Sequence, residues 1–165
     1  MLNIFQVQFY CRCLHTSDGV SLKLKRAVEI ARSLGYYCED ISPREFYGYM
    51  TGKTVSGDKM PLEEVLTNEF LMLHEVIEIS ELKKKGITIG EMTIVNYHPK
   101  TIYEAHITAT EYEIKHALNK GDLAYVKLRL LHIREWLEDE NLPKELDPKL
   151  KSMVEKFSNL FKIKT

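Results

Sequence analysis

Glutamine occurs only at Gln6 and Gln8, tryptophan only at Trp136, and cysteine only at Cys11, Cys13 and Cys38 in a chain of 165 residues. Three cysteines make no disulfide framework, and an odd count points to buried thiols in a reducing compartment. Neither sign of charge is in excess. The formal net charge of -1 excludes long-range attraction to nucleic acid or anionic lipid. The basic run Lys83, Lys84 and Lys85 stands where the C-terminus of a helix favours cations. No apolar run approaches the ~20 residues needed to cross a bilayer. The opening MLNIFQVQFYCRC lacks the basic start and unbroken apolar core of a signal peptide. A cytoplasmic protein without nucleic-acid or membrane partners is expected. Scarce glutamine beside abundant Lys, Glu and Ile leans towards a heat-adapted source. With 44% hydrophobic residues, no repeat and no shift of composition, residues 1–165 read as a single globular domain.

What is present is mostly helical periodicity. Residues 3–13 alternate, with Phe5, Val7, Phe9, Cys11 and Cys13 on one side, as a half-buried strand does. Val20, Leu24, Ala27, Val28, Ala31 and Leu34 then form a helical stripe ended by Gly35. A second strand over 36–41 would complete a small strand, helix, strand unit within 1–41. Ser42, Pro43 and Glu45 spell a capping box for a short helix through Met50. TGKTVSGDKM reads as a loop; its GKT resembles the end of a phosphate-binding P-loop, but Tyr47 stands where the required glycine would be. Residues 61–85 read as one long amphipathic helix. ITIGEMTIVNYH fits either a strand or a short helix opened by Thr88 and Glu91. Further helices are expected over about 100–119, from Gly121 and Asp122 to Glu138, and over the stripe Leu150, Met153, Val154, Phe157, Leu160 and Phe161. The fold class is therefore mainly α, a bundle-like arrangement of five to six helices in all with 42–165 entirely helical, and α+β as the variant if a small sheet forms within 1–41.

Five constellations could carry chemistry or line a site. His74-Glu75-Val76-Ile77-Glu78 resembles the HExxH of zinc peptidases in its first two residues, with Glu78 in place of the second histidine. Separated by one helical turn, His74 and Glu78 could jointly hold a divalent metal, although the helical wheel sets both on the polar side of 61–85, where side chains are normally solvated. Glu75, Glu78 and Glu81 have the ExxE step by which helical nucleotide pyrophosphatases hold magnesium; the ExxD that completes that family's site is missing. The HD-type phosphohydrolases fit less well, since His74-Glu75 would replace the His-Asp pair, with His15 remote. Cys11, Cys13 and His15 share one strand face and with Cys38 could ligate zinc, but buried thiols are the commoner outcome. The aromatic group Tyr36, Tyr37, Phe46, Tyr47 and Tyr49 would line a pocket or simply fill the core.

Two charges violate the apolar pattern. Glu69 falls near the middle of the apolar arc of 61–85, and Arg129 inside that of 121–138, with His132 three residues on. A buried ionised carboxylate costs several kcal/mol unless paired. The simplest expectation is a buried Glu69 to Arg129 bridge that registers two helices. The functional alternative places Glu69, Arg129 and His132, with His106, around a cleft, Glu69 as base or cation ligand and Arg129 as holder of an anionic group. At the level of function, the leading expectation is a non-catalytic helical protein acting through association with itself or a partner protein. The second is a divalent-metal-dependent hydrolase of a phosphorylated small molecule or nucleotide, built on Glu69, His74, Glu78, Arg129 and His132.

Overall fold

The computed structural model describes residues 17–54 and 60–164, and its regular elements are all helical. Among the described residues eight α-helices follow one another: α1 Ser17–Ser33, α2 Pro43–Thr51, α3 Leu62–Thr67, α4 Glu69–Lys84, α5 Thr93–Asn96, α6 Pro99–Lys120, α7 Leu123–Glu138 and α8 Asp147–Lys164. A 3-10 turn at Lys144–Leu146 leads into the last. The mainly helical expectation holds, and the count rises above five or six for two reasons. The first is Asn68, which cuts the expected 61–85 helix in two. Its side-chain oxygen accepts the N–H groups of Phe70 and Leu71, and its own N–H bonds back to the carbonyls of Glu64 and Val65, so one extended residue ends α3 and starts α4. The second is α5, one turn of helix within the stretch whose pattern fitted strand and helix equally.

No strand occurs among the described residues. Segment 36–41 runs as an irregular connection in which the Glu39 N–H donates to Ser80 Oγ of α4 at 2.8 Å, a side-chain partner in place of a neighbouring strand. The other expected strand, 3–13, lies outside the described residues, as do Cys11, Cys13, His15 and positions 55–59.

Elsewhere the local chemistry performs as the sequence suggests. The Ser42 hydroxyl accepts the Glu45 N–H while the Glu45 carboxylate accepts the Ser42 N–H, with Pro43 opening the helix. Gly35, Gly86 and Gly121 turn the chain out of α1, α4 and α6 at φ of 81°, 76° and 76°, a left-handed conformation that strains any other residue.

Packing falls into two apolar clusters. One gathers α1, α2, α3 and the flank of α4 around Phe46, Leu73, Ile77 and Leu82. The other gathers α6, α7 and α8 around Ile114, Ile133, Leu150 and Phe157. Helix α6 gives Ala105 and Ala109 to the first and Ile107, Ile114, Ala117 and Leu118 to the second. Helix α4 is covered by α1 on one side and most extensively by α6 on the other, which is why nearly all of it is buried. No helix among the described residues is long and apolar enough to cross a membrane.

Replacing Ser42 with Ala removes the acceptor for the Glu45 N–H and should lower stability by about 1 kcal/mol. The change should appear as a lower denaturation midpoint at unchanged slope. An unmoved midpoint would mean that the side chains of α2 hold it without its cap.

Candidate metal centre

Helix α4 sets His74 and Glu78 one turn apart on the side that faces α6. There they meet His106, the eighth residue of α6. His74 Nε2 lies 3.0 Å from Glu78 Oε2 and 3.0 Å from His106 Nδ1, and His106 Nδ1 lies 2.7 Å from Glu78 Oε2. Three atoms able to ligate a metal therefore converge on one point. His74 and Glu78 are 2% and 5% exposed, whereas the His106 side chain stays 32% exposed under the ring of Trp136, 4.6 Å between ring centres.

Each inner ligand is fixed from behind. His74 Nδ1 stands 2.8 Å from Glu113 Oε2. An ionised carboxylate only accepts, so Nδ1 donates and Nε2 is turned towards Glu78 and His106. Glu113 is fully buried and also accepts from Tyr125 Oη and, at 3.0 Å, from Arg129 Nη2. The second oxygen of Glu78 accepts from Tyr49 Oη at 2.5 Å, which leaves Oε2 for the centre.

These contacts set the charges. Burial alone would lower the pKa of His74, but the carboxylates of Glu113 and Glu78 outweigh it and push the value up to about 10. Burial works against ionisation of Glu78 and Glu113 too. His106 and His74 nevertheless hold Glu78 well below the usual carboxylate range, and His74 and Arg129 do the same for Glu113. Glu75 is compensated less: burial, reinforced by the Glu78 charge and only partly offset by His74 and Arg129, pushes it up to about 8.

The residues singled out in the sequence are distributed unevenly around this centre. His74 and Glu78 are in it, not on a solvated face, because α6 covers the side of α4 that an isolated helical wheel leaves to water. Glu81 lies further along α4, accepting from Tyr36 Oη at 2.6 Å and from Lys84 Nζ at 3.0 Å.

The Glu69 to Arg129 bridge does not form. Glu69 is the first residue of α4, where the helix dipole favours an acid, and its side chain is 30% exposed between Lys120 at 3.0 Å, Arg26 at 3.3 Å and His116 at 3.4 Å. Arg129 is buried as its position implied, but its carboxylate partner is Glu113, and His132 Nδ1 accepts from Arg129 Nη1 at 3.1 Å. The tyrosines disperse: Tyr49 reaches the centre, Tyr36 packs against Tyr112, and Tyr37 and Tyr47 are exposed. Cys38 is a buried free thiol whose pKa burial pushes up to about 11.

Glu113 and Tyr125 are the site residues that sequence reasoning missed; Tyr49 was singled out only as one of an aromatic group. A signal for Glu113 existed. His106, Thr110 and Glu113 follow i, i+4, i+7 spacing and fall between the two apolar stripes of α6.

No family model, curated protein or solved structure matches this chain.

The pairing has a thermodynamic signature. Arg129→Met leaves the buried Glu113 short of one counter-charge and should destabilise by about 3 kcal/mol. Combining it with Glu113→Gln should cost less than the sum of the two single changes. Glu69→Gln, in a solvated cluster, should cost about 1 kcal/mol or less. Denaturant unfolding of the four variants measures all of this, and strict additivity of Arg129 and Glu113 would show that no bridge operates.

Proposed function

We propose that this protein is a divalent-metal-dependent hydrolase whose ion is held by His74, Glu78 and His106. The observation that carries the reading is the convergence of His74 Nε2, Glu78 Oε2 and His106 Nδ1 within 2.7 to 3.0 Å of one another, each inner ligand turned inward by a partner on its far side. Two imidazoles and one carboxylate suit zinc and the first-row transition metals, and three protein ligands leave room for water or substrate. When bound there, a divalent ion would supply a water of lowered pKa as nucleophile. The protein's part is to orient His74 through Glu113, to keep Glu78 ionised, and to exclude bulk water from all but the His106 side.

A phosphorylated small molecule is the substrate class that Arg129 favours. Arg129 is 7% exposed and bridged to Glu113, and among the described residues its Nε has no hydrogen-bond partner. Of the catalytic set expected from sequence, Arg129 meets Glu113, the residue behind His74, and His132 meets only Arg129 among the described polar contacts, while Glu69 stands apart with Lys120 and Arg26.

Protein freed of metal by a chelator should take up one equivalent of Zn2+, Mn2+ or Co2+ by calorimetry. His106→Ala, at a half-exposed position, should stay folded and bind at least about tenfold more weakly. Hydrolysis of a generic phosphate monoester should follow metal content. Absence of stoichiometric uptake by the folded wild type would remove the proposal.

A second reading rests on another surface. Leu128 and Leu131, neighbours on the outer face of α7, are 46% and 52% exposed, as befits a contact with a further copy of the chain or a partner protein. Light scattering over a range of concentrations should then show a dimer or larger species that Leu131→Lys dissociates, and a monomer throughout would dismiss self-association.

A further inference from the structure

On the α1 side of α4 the chain leaves a cavity of about 310 Å3, open to solvent and of a size that takes one small molecule. It lies where Asn68 interrupts the helical run. The extended residue between α3 and α4 sets Leu66 and Met72 on either side of a step, and the small side chain of Ala27 on α1 does not fill the gap. Lys23, Arg26, Ala27 and Ile30 share one stripe of α1 at the three- and four-residue steps of a helix. The floor is apolar, and Ala27, Leu66 and Met72 in it are buried. The charges of the lining are not balanced. Glu69, its only carboxylate among the described residues, is already matched by Lys120 at 3.0 Å, a residue outside the lining. Arg26 reaches Glu69 through a single contact of 3.3 Å with its side chain 70% exposed, an ion pair of small net worth. Lys23 makes no ion pair among the described residues. Two cations therefore border an apolar floor with little of their charge spent.

We propose that this cavity binds a small organic carboxylate, its acid group between Lys23 and Arg26 and its aliphatic body on Ala27, Ile30, Leu66 and Met72. Arg26 exchanges its exposed contact with Glu69 for a carboxylate that it grips with two N–H groups, while Glu69 keeps Lys120. The body of the ligand takes apolar surface out of water, so affinity grows with chain length until the floor is covered. A cation of the same length gains the floor but meets repulsion from Lys23 and Arg26. A short anion gains the charges but not the floor. The site is independent of the metal reading, since its lining comes from α1 and from the junction of α3 with α4 and includes none of His74, Glu78 and His106.

The test titrates the whole protein with hexanoate, acetate and hexylammonium and follows the backbone amide resonances. Hexanoate should bind saturably, with a dissociation constant about tenfold or more below those of acetate and hexylammonium. The largest shifts should fall on residues 23–30 and 66–72. Lys23→Glu, on the solvent-facing rim, should keep the fold and weaken hexanoate about tenfold or more. Ala27→Leu should abolish the preference for hexanoate over acetate by filling the floor, and if that variant does not fold, Ile30→Ser serves in its place by making the floor polar. No saturable binding of hexanoate by folded wild type would overturn the proposal. So would equal affinities for hexanoate and acetate, which leave no part for the floor, or for hexanoate and hexylammonium, which leave none for the rim. An undiminished affinity in Lys23→Glu would place the binding elsewhere and end the assignment.

Discussion

The carboxylate of Glu113 is the point on which the interior depends. It is fully buried on α6, yet it is held in the ionised form by His74 of α4 and by Arg129 and Tyr125 of α7. Three helices are thereby tied through one functional group. An isolated charge there would be untenable, and the arrangement persists only because each oxygen is met by a donor of fixed direction. The same contacts that satisfy the charge also aim Nε2 of His74 at Glu78 and His106, so the folding requirement and the ring's orientation are one geometric fact.

The seam in which this occurs follows from α6 serving two apolar clusters. A helix that buries alanines on one flank and isoleucines on another must leave strips between them, and the strip carrying His106, Thr110 and Glu113 is roofed by α4 and α7. Polar groups placed in such a strip are withdrawn from water without being inside either apolar cluster. That setting favours a metal centre: dry enough to strengthen electrostatic interactions, and supplied with donors from three directions.

Much of the local structure was legible in the sequence, and little of the site was. Caps and stops could be read because they act within a few residues: the Ser42 to Glu45 box, Gly35, Gly121 and the amphipathic stripe of α1 all appear where their chemistry placed them. Asn68 was equally local, yet it was absorbed into an apolar rhythm that runs through it, and the resulting single helix put Glu69 in the wrong environment. The site was hidden for a different reason. Helical periodicity tells which residues share a face but not what covers that face, so His74 and Glu78 read as solvated until α6 is seen to lie over them. Arg129 advertised itself by standing among apolar neighbours. Its partner did not, because Glu113 falls on a boundary between two stripes, where a carboxylate looks ordinary.

The ring that borders His106 belongs to Trp136, and the chain contains no other indole. Its ultraviolet emission therefore comes from one address, the outer wall of the centre. Whatever settles among His74, Glu78 and His106 does so in view of a chromophore that the protein carries already, without any label having to be added.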